Sequence, residues 1–87
     1  MNKEQLIKDF LLSTIKGLVE NHSELDIKIK NKNNYIEFFV IIDKKESGKI
    51  IGKYGRTIKA IKTLFNSIST NLKIEANLKF NIPSIKK

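Results

Sequence analysis

Residues 48–56 read G-K-I-I-G-K-Y-G-R, so Gly52 and Gly55 bracket Lys53 and Tyr54, and Arg56 follows at once. Two glycines at this spacing leave no side chains to keep a bulky anion away from the backbone amides. The pattern that follows is helical. The first amides of such a helix point at an anion, and the helix dipole favours its charge. Lys53 and Arg56 add full charges, and Lys49, Lys59 and Lys62 prolong the cationic run. Ile50, Ile51 and Ile58 supply an apolar flank on which bases can lie. The chemistry assembled here is the holding of a phosphate, or of several in a strand.

Two familiar phosphate loops fail on spacing. A nucleotide-binding P-loop needs four residues between its first glycine and a Gly-Lys-Ser/Thr end, placed after a strand. Here three residues separate Gly48 from Gly52, and Lys53 is followed by Tyr54. The dinucleotide fingerprint needs a glycine two residues before Gly52, and Ile50 stands there.

The charge around the turn is not diluted along the chain. The formal net charge of the 87 residues is +8. Residues 1–43 hold six Lys and seven Asp or Glu, residues 44–63 hold seven Lys or Arg and one Glu, and residues 64–87 hold four Lys and one Glu. A positive field localised in this way attracts polyanions, and the common cytoplasmic polyanion is nucleic acid. With 40% apolar and 30% charged residues the composition is that of a globular chain. The length predicts one domain over residues 1–87, with its core in about 3–80 and a tail at 81–87. There is no cysteine, hence no disulfide framework. The start resembles neither a secretion signal nor a membrane span, so a cytoplasmic location and no membrane partner are expected.

Positioning the turn requires flanking elements. Leu6, Ile7, Phe10, Leu11, Ile15, Leu18 and Val19 recur at helical spacing and predict a helix over 3–20, with Asn2 as its N-cap. L-D-I-K-I-K at 25–30 alternates as a strand with one wet face, and Y-I-E-F-F-V-I-I at 35–42 reads as its hairpin partner. Asp43 and Glu46 resemble a capping box opening a short helix that ends at Gly52. Ile58, Ile61, Leu64, Phe65 and Ile68 predict a helix over 56–70. Residues 72–80 alternate as a third strand, ended by Pro83. The order is α-β-β-α-α-β, an α+β fold. Some 30 residues between the last two strands permit a parallel crossover, so a mixed sheet is expected with helices on one face.

A G-x-x-G turn between two helices, inside I-I-G-K-Y-G-R-T-I, resembles the clamp loop of a KH domain, which holds about four nucleotides of single-stranded nucleic acid. The element order is similar to the type II arrangement, and the likeness covers essentially the whole chain. A lone type II domain of this size, carrying G-K-I-I-G-K-Y-G-R-T-I-K-A-I, looks most like the KhpA family of small bacterial RNA-binding proteins. That resemblance implies RNA as partner, self-association as a homodimer, and pairing with a larger KhpB (Jag or EloR) type protein. It also implies RNA chaperoning and a link to cell elongation and division. It carries clamp roles to Gly52, Lys53, Tyr54 and Gly55, and flanking roles to Ile50, Ile51, Arg56 and Ile58. Tyr54 departs from the small or polar residue common at its position. Two other readings of the same scaffold are a protein-interaction module and a ribosome-associated assembly factor.

The remaining reactive side chains point to no catalysis. His22, the single histidine, has only Glu20 and Glu24 nearby in sequence, and the serines show no base. No enzyme activity, metal or cofactor is expected. Phe39 and Ile41 are anomalous, because their alternation places them on the wet face of the sheet. They are expected to form part of a protein contact, unless a neighbouring side chain or Ile82 and Ile85 of the tail cover them.

Overall fold

The computed structural model describes residues 2–81. Helix α1 spans Lys3–Leu18, strand β1 Asp26–Asn31 and strand β2 Ile36–Ile41. Helix α2 (Ser47–Ile51) and helix α3 (Arg56–Asn71) follow, and strand β3 spans Ala76–Phe80. Short 3₁₀ turns at Lys44–Glu46 and Lys53–Gly55 precede α2 and α3. The order is α-β-β-α-α-β with a three-stranded mixed sheet, the layout of a type II KH domain.

β2 is the central strand. It pairs antiparallel with β1, placing Lys28 opposite Phe39, and parallel with β3, placing Phe39 opposite Lys79. Strand alternation then sorts every side chain. Ile27, Phe38, Val40 and Ile42 turn to the helices and are buried, and Ile7, Leu11 and Ile15 of α1 meet them as one stripe. Ile50 of α2 and Ile61 and Phe65 of α3 close the core. The rings of Phe38 and Phe65 meet edge to face, with centroids 5.6 Å apart. Such a pair contributes about 0.5–1.5 kcal/mol beyond its buried area. This contact ties the central strand to α3, which begins directly after the Gly52–Gly55 turn.

The element ends show where local chemistry overrides alternation. Asn2 caps α1, its side chain accepting from the amides of Glu4 and Gln5. β3 begins at Ala76 and not at residue 72. Leu72 remains in the helical region, and Lys73 turns left-handed at φ 61°. The Lys73 amide donates to the Thr70 carbonyl at 3.0 Å and the Ile74 amide to the Ser69 carbonyl at 2.9 Å. This is the Schellman ending of a helix, with lysine where glycine is usual. The first residues of the apolar alternation are thus spent on the cap. The far end of β3 is pinned by Asn81. Its side-chain amide exchanges two hydrogen bonds of 3.1 Å with the Ile42 backbone, continuing the ladder beyond the strand. Pro83, Ile82 and Ile85 lie outside the described residues.

Candidate nucleic-acid interface

The turn between α2 and α3 depends on three departures from right-handed backbone, at Gly52, Tyr54 and Gly55. Gly52 closes α2, its amide donating to the Gly48 carbonyl at 2.9 Å, and adopts φ 75°, ψ 177°. Only glycine takes up that region readily. Tyr54 (φ 58°, ψ 24°) and Gly55 (φ 74°, ψ 15°) are both left-handed. The chain thereby folds tightly back, and the Gly55 amide reaches the Gly52 carbonyl at 3.2 Å.

The glycine at 52 is demanded from within the protein. A β-carbon there would sit 2.6 Å from Thr57 Cβ and 2.9 Å from the Thr57 backbone nitrogen, and would also collide with Oγ1. Gly48 differs, since a β-carbon there would meet nothing within 4 Å. Of these two glycines, therefore, only Gly52 is compelled by the fold. Gly55 is buried, and its left-handed φ disfavours any other residue.

The start of α3 is left open to an anion. Its N-cap is Gly55, which offers no side chain, and its first turn holds no acid. The Arg56 amide donates to the Lys53 carbonyl, but no side chain caps the helix and no acid in its first turn offsets the positive end of its dipole. Tyr54 stands 77% exposed beside it. The Lys53 ammonium lies 5.8 Å and the Arg56 guanidinium 5.7 Å from the centre of the Tyr54 ring, within cation–π range. Lys53, Arg56, Lys59 and Lys62 are all exposed, and none has an ion pair among the described residues. One short segment thus presents an aromatic face, four free cations and a helix start with no side-chain cap.

Two of the expected site residues have other duties. Ile50 is 0% exposed and belongs to the core, which leaves Ile51 and Ile58, both half-buried, as the apolar flank. It turns inward because α2 must bury one face to be held at all. Lys49 is tethered, with its ammonium 3.4 Å from Glu46 and 3.5 Å from Glu20. Burial works to lower its pKa, but the two carboxylates outweigh that and hold it above the ordinary lysine value.

Glu46 was legible as a cap and turns out to be an anchor. The Asp43 side chain does accept from the Lys45 amide at 2.9 Å. The reciprocal half of the capping box does not form. The Glu46 carboxylate instead reaches across to the end of α1, accepting from the amides of Glu20 at 3.2 Å and Asn21 at 3.3 Å. Burial works to raise its pKa, yet these two amides and the Lys49 ammonium bring it below the ordinary carboxylate value. The sequence signal was present, because Glu46 is the one acid among residues 44–63. Thr57, which enforces Gly52, carried no such signal. His22 closes α1 from the other side, its Nε2 lying 2.9 Å from the Val19 carbonyl and 3.1 Å from that of Lys16.

Phe39 and Ile41 emerge where alternation put them, half-buried on the sheet face away from the helices. Among the described residues no cluster of His, Cys, Asp and Glu is suited to a metal ion, and no helix is long and apolar enough to cross a membrane.

The chain resembles known proteins along most of its length. The chain is 42% identical over 72 residues to the RNA-binding protein KhpA of Chlamydia caviae, covering 83% of this chain and 92% of that one. It is 33% identical over 67 residues to the protein of the same name from Streptococcus pneumoniae, covering 77% and 85%. The Listeria monocytogenes protein of that name is 28% identical over 64 residues, covering 74% and 84%. A family model described as the KH domain of KhpA and KhpB matches residues 8–80, which contain the sheet, α2, α3, most of α1 and the whole Gly52–Gly55 turn. The chain belongs to the KhpA/KhpB KH-domain family.

Proposed function

We propose that this protein binds single-stranded RNA through the turn Gly52–Gly55 and the start of α3, without catalysing a reaction. The observation that carries this reading is the start of α3, free of acids and of any side-chain cap, beside two exposed cations and an exposed tyrosine. Phosphates meet the amides there, Lys53 and Arg56 neutralise them, and bases lie along Ile51 and Ile58. Tyr54 offers a ring on which one base can stack, a contact worth ~1–3 kcal/mol. Backbone recognition of this kind is sequence-tolerant and salt-sensitive. Relatives named as RNA-binding proteins support the choice of ligand.

In the cell we place the protein in the cytoplasm as an RNA chaperone-like factor acting on transcripts, working as a homodimer or with a KhpB-type partner in the control of cell elongation and division. Doubling a clamp of about four nucleotides raises effective affinity without any new contact type. Leu64, 51% exposed on α3, is apolar surface available to a second chain.

The test is binding of a short single-stranded RNA by the wild type and by Lys53→Asp/Tyr54→Asp across a salt series. Aspartate tolerates the left-handed backbone at position 54, so the variant should keep its circular dichroism. Loss of binding by the folded variant is expected. Undiminished binding would remove the turn from the interface and bring the protein-interaction reading forward.

A further inference from the structure

The sheet face away from the helices carries a second arrangement of the same chemistry. A groove of about 410 Å³ runs over it, lined by Lys28, Lys30, Glu37, Phe39, Ile41 and Lys79. Phe39 stands at its centre on the middle strand. Lys28 is its cross-strand neighbour on β1, and Lys79 its neighbour on β3. The one carboxylate of the groove is already satisfied, since Glu37 pairs with the Lys79 ammonium at 3.0 Å. Lys28 and Lys30 have no ion pair among the described residues. They lie two positions apart on one strand, so about 6.6 Å separates their bases along it.

We propose that this face is a second binding site for single-stranded nucleic acid, with Phe39 stacking on a base and Lys28 and Lys30 meeting phosphates. The proposal rests on the RNA-binding reading above and extends it to the opposite side of the sheet. Size decides against a protein occupant. A stable protein contact buries about 800 Å² per partner around a substantial apolar centre, and here only two half-buried apolar side chains are offered. A base needs one aromatic face and a neighbouring cation, which the groove supplies. An aromatic on an open sheet flanked by cations is also how other RNA-binding sheets take up bases.

The two sites would share one strand. About four nucleotides are held at the turn, so a strand that also reaches the sheet face must be longer, and affinity is predicted to climb again between a 5-mer and a 16-mer.

The experiment measures binding of a 5-mer and a 16-mer of single-stranded RNA by the wild type, Phe39→Ser and Lys28→Gln/Lys30→Gln. Sedimentation and circular dichroism of each variant accompany it. The expected result is that Phe39→Ser weakens the 16-mer by about tenfold and leaves the 5-mer as it was. The lysine pair should lower the salt dependence of 16-mer binding by a log–log slope of about 1.4. Equal 16-mer binding by wild type and Phe39→Ser would overturn the proposal. If that equality accompanies loss of binding in Lys53→Asp/Tyr54→Asp, the turn stands as the RNA site and only the sheet site fails. If Phe39→Ser alters self-association and not RNA binding, the face belongs to a protein contact. If the wild type binds neither RNA, both readings fall.

Discussion

Replacing Gly52 by alanine is the sharpest test of the backbone geometry of the Gly52–Gly55 turn. Two costs add. The backbone at φ 75°, ψ 177° is one that a residue with a β-carbon adopts at a cost of ~1–3 kcal/mol. The new β-carbon also meets Thr57 Cβ at 2.6 Å and the Thr57 nitrogen at 2.9 Å. The Thr57 hydroxyl can rotate away, but those two atoms are fixed by the start of α3. Overpacking of this kind costs a further ~1–3 kcal/mol. The mid-range total of about 4 kcal/mol is a large share of the stability of any small domain. Gly48→Ala is the control, since it adds a methyl in open space within a helix and should gain roughly 0.5–1 kcal/mol. Urea unfolding followed by circular dichroism reads both. Gly52→Ala should unfold far earlier than the wild type, or be unfolded at the outset, and Gly48→Ala somewhat later. A double-mutant cycle with Thr57→Gly isolates the collision, and part of the loss should return. Coincident midpoints for Gly52→Ala and the wild type would refute the steric account, as would equal losses at both glycines.

Three further outcomes follow from the same structure. Gly17→Ala, at an exposed position in α1 with nothing within 4 Å of the added carbon, should raise unfolding free energy by about 0.8–1 kcal/mol in the same titration. Lys73→Gly should raise it by about 0.5 kcal/mol, because relief of the left-handed backbone outweighs the freedom glycine gains in the unfolded chain. Glu46 predicts a pH dependence. Its folded pKa lies below the ordinary 4.5, so its contribution is complete above that value and is lost as acid carries the pH down through the folded value. Glu46→Gln should therefore be less stable than the wild type at neutral pH, and that difference should shrink below about pH 5. A gap that stays constant down to the acid unfolding range would contradict the anchor.

Much of the candidate site could be read from residue types because its chemistry is local. The G-x-x-G turn at 52–55, its flanking cations and the helix that follows are contiguous in the sequence, and the structure joins them as the spacing implied. Alternation was equally informative for β1 and β2, where one face is buried and a shift by one residue would expose Phe38 and Val40. It misled at residues 72–75, where the apolar beat of a strand coincides with the requirements of a helix cap. There the hydrogen bonds to the Ser69 and Thr70 carbonyls decide the backbone. It was also silent on which isoleucine of the pair 50–51 faces inward, since two adjacent apolar residues on a five-residue helix define no stripe.

The sequence by itself determined the element order, the apolar face of each strand, the location of the positive charge and the place of the turn. Each of these follows from short-range periodicity or from the identity of neighbouring residues. The tertiary structure alone decided that Thr57 compels Gly52, that Glu46 and Lys49 brace α2 against the end of α1, and that Phe39 stands between Lys28 and Lys79. Those facts depend on groups far apart in the chain, or on backbone angles that only the packed turn imposes. No local pattern encodes a contact between strands whose register is set by the burial of the opposite face.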